Sequence, residues 1–264
     1  MTDIASQKSK RALVVIPTYN EAGSICPLVE ALLAAAQSSA PQWDVRVLVV
    51  DGDSPDGTSR VVRAAMERHP KLDLLVEPQK AGIGAAYLLG FDRAMRLHAA
   101  DVVVEFDGDF QHPPETLPVM LAAIDDGFDY VLGSRAIPGG SYPRGWSLYR
   151  QLMSRGGGFV ARVLLFFPSP DFFRITDPTT GLKATRVRGV LDRLDLGRVR
   201  SRGFGYKIEL LYHLVKQGAR VKEIPLNFQP RRVGESKITR QTPGEIFRTV
   251  IWLRLVGKGA AWKN

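Results

Sequence analysis

Largely apolar runs that alternate with helix-like segments constrain the fold of this chain most strongly. Residues 11–17 and 45–50 are typical of strands that are covered on both faces. Between them, residues 21–38 carry apolar side chains at helical spacing. The same alternation continues with strands at 72–76, 102–106 and 130–132 and helices at 59–69, 82–97 and 115–125. It predicts an α/β fold whose mostly parallel central sheet is flanked by helices.

After residue 134 the alternation gives way to longer loops and helices. We predict a loop at 139–145, a turn at 177–181, a polar loop at 231–242, and helices at 146–165 and 204–216. Residues 221–228 alternate like a strand, and Pro225 favours an edge position because it lacks a backbone donor. No linker separates autonomous units, so we assign residues 1–243 to one domain. Residues 244–264 are predicted to form a basic, amphipathic C-terminal helix.

Charge is distributed unevenly along the 264 residues, whose net charge is +9. Residues 198–264 contain 15 Lys and Arg against 4 Asp and Glu, whereas the rest contains 21 against 23. A near-neutral body with a basic final quarter predicts an anionic partner, which could be a phosphate substrate, an acidic membrane or a nucleic acid.

Three further features bear on the compartment. The single Cys26 excludes an intramolecular disulfide and favours a reducing environment. The polar residues 1–10 do not resemble a signal peptide. The most apolar window, 159–170, is too short to span a bilayer and contains Arg162. We therefore expect a cytoplasmic protein without a spanning helix.

Four polar turns fall where successive parallel strands are expected to end. They occupy residues 17–21, 51–53, 107–109 and 133–135. Each alone could be ordinary turn chemistry, since Asp, Asn, Gly and Pro favour turns. However, the carboxyl ends of parallel strands meet at one edge of a sheet, where open α/β sheets bind ligands. Four such turns in order therefore predict one shared pocket.

The most specific of these turns contains Asp107 and Asp109. Two carboxylates at positions i and i+2 provide hard oxygen ligands for a divalent cation, whose remaining coordination positions are free for a diphosphate. We interpret this turn as part of a nucleotide-sugar site.

Six segments carry a family resemblance: Ile-Pro-Thr-Tyr-Asn-Glu at 16–21, Ser-Pro-Asp-Gly-Thr at 54–58, Gly-Ile-Gly-Ala-Ala-Tyr at 82–87, Gln-His-Pro-Pro-Glu at 111–115, Asp-Pro-Thr-Thr-Gly at 177–181 and Gly-Glu-Ser-Lys at 234–237. With them, residues 11–240 resemble the inverting GT-A glycosyltransferases of family 2, in particular polyprenol (dolichol) monophosphate mannose synthases. The resemblance implies a nucleotide-diphospho-sugar transferase fold over the catalytic domain 1–243. It also implies metal-dependent transfer of a hexose, mannose from GDP-mannose, to the phosphate of a polyprenyl or dolichyl monophosphate.

The resemblance also assigns roles to single residues. The nucleoside pocket would be lined by Pro17, Tyr19, Glu21 and Asp51. The cofactor, Mg²⁺ or Mn²⁺, would be held by Asp107, Asp109 and Gln111. The donor diphosphate would contact Arg231 and Lys237, and the acceptor phosphate would contact Arg135, Arg150 and Ser154. The residues expected to be catalytic are Asp107, Asp109, Arg135, Arg231 and Lys237.

Alternatives remain open at this stage. The same scaffold could use UDP-glucose or UDP-N-acetylglucosamine, because base and sugar selectivity depend on loop details. A non-catalytic protein that binds membranes or nucleic acids through its basic end is a more remote reading, since no nucleic-acid module is recognisable. We expect the donor and the lipid phosphate as partners, and no nucleic acid.

The predicted C-terminal helix permits two readings of membrane contact. Residues 244–264 could lie in the membrane interface, as basic amphipathic helices do, or pack on the catalytic body. In either case we expect a peripheral protein that meets its lipid substrate at the cytoplasmic membrane face or through a membrane-embedded partner.

Overall fold

The computed structural model describes residues 9–143, 145–231 and 242–256. The described residues form seven strands: β1 (Lys10–Thr18), β2 (Trp43–Asp51), β3 (Leu72–Val76), β4 (Val102–Glu105), β5 (Tyr130–Ser134), β6 (Lys183–Arg186) and β7 (Val221–Pro225). The helices are α1 (Ile25–Ser39), α2 (Thr58–Met66), α3 (Ile83–Arg96), α4 (Thr116–Asp125), α5 (Leu148–Phe166), α6 (Asp171–Arg174), α7 (Tyr206–Lys216) and α8 (Thr242–Leu255).

All strands join one sheet in the order β3-β2-β1-β4-β6-β5-β7. Neighbouring strands are parallel except at β6, which runs antiparallel to both β4 and β5. Strand β7 lies at the edge and ends at Pro225, so the prediction of an edge strand is confirmed. The predicted α/β class, with a mostly parallel sheet, is also confirmed.

Among the described strands, β6 is the one that the sequence did not predict. This strand, Lys183-Ala-Thr-Arg186, is only four residues long and is charged at both ends, so it lacks the apolar run that marks the other buried strands. The side chain of Lys183 is nevertheless fully buried, because the strand is enclosed between β4 and β5. Tertiary burial, rather than local pattern, places this segment in the sheet.

Helices cover the sheet on both faces. One core lies under α1, α2 and α4 and includes alternate residues of β1, namely Ala12, Val14 and Ile16. The other core lies under α3, α5, α7 and α8 and takes the intervening residues Leu13 and Val15. Burial on both faces explains why the central strands consist of continuous apolar runs.

The described part of the C-terminal helix packs on the body. Val250 and Leu253 of α8 are buried, and the helix contacts α5 and α7. Phe247, Leu255 and Val256 remain exposed. Residues 257–264 lie outside the described residues, as does most of the predicted loop, 232–241. None of the described helices is both long and apolar enough to cross a membrane.

Candidate active site

The Asp107–Asp109 turn follows β4 and lies beside the end of β1. A Cβ on Gly108 would come within 3.6 Å of the Pro17 carbonyl oxygen, and the Ser24 hydroxyl donates to the Gly108 carbonyl at 2.9 Å. The carboxylate of Asp109 accepts a hydrogen bond from the Gln111 backbone at 2.9 Å, which fixes its orientation. The predicted convergence of these strand ends is therefore present in the structure.

Arg231 connects the two acidic residues of this edge. One terminal nitrogen of its guanidinium lies 2.7 Å from Asp109 Oδ2, and the other lies 3.3 Å from Glu21 Oε1. The segment that carries Arg231 is held by two hydrogen bonds between Gln111 and Gln229, one of them from the Gln111 side chain. Glu21 and Arg231, 210 positions apart in sequence, thus meet at this edge of the sheet.

Asp107 and Asp109 occupy different electrostatic environments. Burial and the negative charge of Asp107 raise the pKa of Asp109 to about 6. Burial also opposes ionisation of Asp107, but its neighbours, above all the ammonium of Lys207, together outweigh that effect and hold the pKa of Asp107 well below its ordinary value. Asp107 is therefore strongly ionised, whereas the pKa of Asp109 is raised towards neutrality.

Three side chains surround Asp107. The Tyr87 hydroxyl donates to Oδ1 at 3.2 Å, and Lys207 Nζ lies 3.3 Å from the same oxygen. His112 accepts the Asp107 backbone N–H at Nδ1 and places Nε2 3.6 Å from Oδ2. Burial lowers the pKa of His112 to about 4, so its ring is neutral at pH 7. The sequence analysis did not identify Tyr87 or Lys207 as site residues.

The ends of β1, β2 and β3 form the side of the site predicted to bind the nucleoside. Lys80 Nζ lies 3.5 Å from the centroid of the Tyr19 ring, a cation–π arrangement. Glu77, at the end of β3, is 4% exposed, and burial together with the charge of Asp51 raises its pKa. Glu77 and Lys80 are a further pair that sequence reasoning missed, because no recognised motif contains them.

Asp51 is placed at this edge but is fully buried. Its oxygens accept hydrogen bonds from Thr18 at 2.8 Å, from the Ser54 hydroxyl and backbone N–H at 2.5 and 3.1 Å, and from Ser59 at 2.6 Å. With both oxygens engaged, Asp51 holds the turn after β2 against β1. Direct contact with a nucleoside remains a prediction.

Arg135 is engaged in a buried ion pair. Its guanidinium donates to both oxygens of Asp177 at 2.7 Å, and one nitrogen also donates to Thr179 at 3.0 Å. Only 9% of the Arg135 side chain is exposed. The arginine therefore fixes the 177–181 turn beside the site, and its predicted contact with an acceptor phosphate remains a prediction.

Arg150 and Ser154 lie on α5. Arg150 is exposed and stacks on Trp146, with 4.2 Å between the guanidinium carbon and the ring centroid. Tyr142 connects α5 to Arg135, because its ring lies near both Arg155 of α5 and Arg135. Lys237 and the 234–237 motif lie outside the described residues.

The donor set at the site fits a divalent cation that shares its coordination with a ligand. Among the described residues, no three His, Cys, Asp or Glu side chains cluster as a complete protein-only metal site. Asp107 and Asp109 supply carboxylates, and the Arg231 guanidinium lies 2.7 Å from Asp109 Oδ2. Two carboxylates plus a diphosphate complete a site of this kind.

This chain is similar to several known proteins. The family model "Glycosyl transferase family 2" matches residues 13–180. A polyprenol monophosphomannose synthase from Mycolicibacterium smegmatis is 37% identical over 246 residues, covering 92% of this chain and 87% of that protein. An undecaprenyl-phosphate mannosyltransferase from Micrococcus luteus is 35% identical over 254 residues, covering 96% and 97%.

A solved structure shares the fold. Glucosyl-3-phosphoglycerate synthase from Mycobacterium tuberculosis, crystallised with Mn²⁺, uridine-diphosphate-glucose and glycerol 3-phosphate, superposes with a TM-score of 0.60 and 18% identity. The match covers 93% of this chain and 80% of that one. This similarity confirms the predicted GT-A fold.

Proposed function

Because this chain belongs to glycosyl transferase family 2, we propose that it transfers mannose from GDP-mannose to the phosphate of a polyprenyl monophosphate, with inversion. The names of two relatives, similar along almost their whole length, support mannose as the sugar and a polyprenyl phosphate as the acceptor. The observation that carries the proposal is the Arg231 bridge, which joins Asp109 to Glu21 at the edge formed by the strand ends.

Asp107 and Asp109, with Gln111 beside them, would hold Mg²⁺ or Mn²⁺. When bound, the cation acts as a Lewis acid that neutralises negative charge on the departing nucleoside diphosphate. The use of Mn²⁺ in the crystallised M. tuberculosis synthase supports a divalent cation here without fixing which one. Arg231 and Lys237 would add positive charge near the same diphosphate.

The acceptor requires little activation. Its phosphate oxygen is already anionic at neutral pH, so it can attack the anomeric carbon without losing a proton to a base. The bond between that carbon and the diphosphate oxygen breaks, while a bond to the acceptor oxygen forms on the opposite face. Arg135, Arg150 and Ser154 would bind the acceptor phosphate, where positive charge offsets the repulsion between two anionic substrates.

The nucleoside would lie against Tyr19 and Lys80, beside the ends of β2 and β3. Pro17, Glu21 and Asp51 would line or support this pocket. Lys80 over the Tyr19 ring already presents an aromatic face and a cation, which suits a base or ribose next to phosphate. A UDP-sugar would use the same groups, so the donor requires a direct test.

The test is a transfer assay with three donors, GDP-mannose, UDP-glucose and UDP-N-acetylglucosamine, with undecaprenyl phosphate and Mn²⁺. We expect a lipid-linked mannose from GDP-mannose and little product from the UDP-sugars. Asp109→Asn is expected to lower turnover at least about 100-fold, since it removes a charged group that acts in the transition state. Asp126→Asn, at an exposed position, is the control. Equal use of UDP-glucose, or wild-type turnover by Asp109→Asn, would contradict the proposal.

We further propose that the protein meets its lipid substrate as a peripheral protein at the cytoplasmic membrane face, with α5 on the bilayer. Helix α5 exposes large apolar side chains among its arginines. They are Leu148, Leu152, Met153, Phe159 and Val160. Arg150 and Arg155 on the same helix complement anionic lipid headgroups. Helix α8 would contribute less, because Val250 and Leu253 are already buried in the protein.

Flotation with vesicles that contain anionic phospholipid tests whether α5 or α8 makes the membrane contact. We expect Leu148→Glu with Leu152→Glu to lose vesicle binding, because the substitutions place charge on the apolar face of α5. Phe247→Glu, on an exposed position of α8, is the matched control and is expected to retain most binding. The reverse result would assign the membrane contact to the C-terminal helix. Loss of binding in both variants would show that both helices contribute, and failure of the wild type to bind would indicate a membrane-embedded partner.

A further inference from the structure

We propose that Lys207 is a positioning residue that keeps the affinity of the Asp107–Asp109 pair for a free divalent cation low. This inference rests on the proposed function, which makes the two carboxylates a cation site. It starts from one juxtaposition: Lys207 Nζ lies 3.3 Å from Asp107 Oδ1, and only 8% of the Lys207 side chain is exposed.

The backbone of Lys207 is held by its helix and by one side chain of the sheet. Lys207 is the second residue of α7, and its backbone carbonyl accepts a hydrogen bond from Lys183 Nζ. Lys183 is fully buried on β6, directly opposite Glu105 in the antiparallel register. The neighbouring sheet and helix therefore anchor the backbone from which the ammonium reaches Asp107.

The 177–181 turn closes over the ion pair. A Cβ on Gly181 would lie 2.6 Å from Lys207 Nζ and 2.7 Å from Asp107 Oδ2. Real Cβ atoms do not approach that closely, so a larger residue at 181 would require the ends of the Lys207 and Asp107 side chains to shift. Packing on this side limits movement of Lys207 away from Asp107, as does the Tyr87 hydroxyl, which donates to Asp107 Oδ1.

Lys207 changes the charge that an incoming cation meets. Two ionised carboxylates would present a charge of −2. Arg231 already lies on Asp109, and the buried Lys207 ammonium offsets the remaining charge at Asp107 and repels a second cation nearby. A divalent cation is then held weakly until the donor diphosphate adds its own negative charge. Lys207 would thereby make cation binding depend on the donor diphosphate, which supplies the negative charge that the ammonium offsets.

A purely structural role makes a different prediction. If Lys207 only neutralised Asp107 to allow its burial, removing the ammonium would destabilise the protein and leave cation affinity unchanged or lower. If Lys207 weakens cation binding, its removal increases cation affinity in the absence of nucleotide. The sign of the change distinguishes the two roles.

The experiment measures Mn²⁺ binding by calorimetry, with and without GDP, on the full chain. Lys207→Met keeps most of the volume and removes the charge, and Lys207→Arg keeps the charge. Without GDP, we expect Lys207→Met to bind Mn²⁺ about tenfold more tightly than the wild type, and Lys207→Arg to bind like the wild type. The gain in Mn²⁺ affinity that GDP produces is expected to shrink in Lys207→Met.

Lys222→Met is the matched control, because Lys222 Nζ lies the same 3.3 Å from an acidic oxygen, Oδ2 of Asp126, on the surface. It is expected to leave Mn²⁺ binding unchanged. Unchanged or weaker Mn²⁺ binding by folded Lys207→Met would overturn the proposal. Should that variant not fold, Lys207→Gln replaces it under the same criterion.

The outcomes separate this inference from the proposed function. Transfer of mannose by the wild type together with unaltered Mn²⁺ affinity in Lys207→Met would overturn only the role of Lys207. Absence of Mn²⁺ binding by wild type and variant, even with GDP, would overturn the cation site and the inference together.

Discussion

A single ion pair, Arg135 with Asp177, holds the 177–181 turn in place beside the candidate active site. The ion pair is bidentate, with both contacts at 2.7 Å, and both side chains are buried. Burial opposes ionisation of Asp177, but Arg135 outweighs it and lowers the pKa of that carboxyl. The pair fastens the 177–181 turn, which in turn covers Asp107 and Lys207.

Asp177→Asn is expected to destabilise the protein by about 3 kcal/mol, because it leaves the Arg135 guanidinium buried without its counter-charge. Chemical denaturation measures the loss. Asp126→Asn removes the acid of an exposed ion pair with Lys222 and is expected to cost less than about 1 kcal/mol. Similar losses in the two variants would contradict the assigned importance of the buried pair.

Single residues also show where sequence interpretation reaches its limit. Asp51-Gly-Asp53 and Asp107-Gly-Asp109 are the same pattern after parallel strands, yet Asp51 is saturated by four internal hydrogen bonds. Local sequence does not distinguish these environments, because the donors come from other elements. Lys207 is the opposite case. In the sequence it is an ordinary lysine of a predicted helix, but in the structure its ammonium lies beside Asp107.

At the scale of elements, glycine sets how closely α3 approaches β1. A Cβ on Gly90 would lie 2.3 Å from Val15 Cγ1 in the core, so no larger residue fits without movement. Gly156 on α5 has no atom within 4 Å of the corresponding position. Both glycines lie within helices, which makes them a matched pair.

Gly90→Ala is expected to destabilise the protein by about 1–3 kcal/mol, because overpacking of the core outweighs the better helix propensity of alanine. Gly156→Ala is expected to stabilise it by up to about 1 kcal/mol, since only the propensity changes. Thermal unfolding of both variants measures the difference. Stabilisation by Gly90→Ala would show that α3 is not packed as described.

Helix α7 contains a buried histidine whose protonation should make stability depend on pH. Burial lowers the pKa of His213 to about 4. Its unfolded pKa is about 6.5, so between these values the unfolded chain binds more protons and stability falls as the pH falls. His213→Gln is expected to remove about 2 kcal/mol of the stability difference between pH 7.5 and pH 5. Parallel stability–pH curves for the two proteins would contradict this assignment.

The prediction of elements succeeded where the sequence pattern is local. Strands β1 to β5 and their helices follow from apolar runs and helical spacing, and the boundaries agree within a few residues. Strand β6 does not, because its four residues gain their burial from β4 and β5. The insertion of β6 also separates β4 from β5, a topology that alternation alone does not reveal.

At the scale of the molecule, the basic final quarter is not one free positive surface. Several of its cations pair with acids from earlier in the chain, namely Lys207 with Asp107, Lys222 with Asp126 and Arg231 with Asp109. The sequence count therefore overstates the positive charge that remains for a partner. The anionic partner predicted from it stays a proposal, which the names of the relatives support.

The central claim is that the turn after β4 holds a cation through which the nucleoside diphosphate binds. It is tested most directly by calorimetric titration of GDP into wild type and Asp109→Asn, with Mn²⁺ and after its removal with a chelator. We expect Mn²⁺ to strengthen GDP binding at least about tenfold in the wild type and to have little effect in Asp109→Asn. Equal GDP affinity with and without Mn²⁺, or an undiminished Mn²⁺ effect in Asp109→Asn, would contradict the claim.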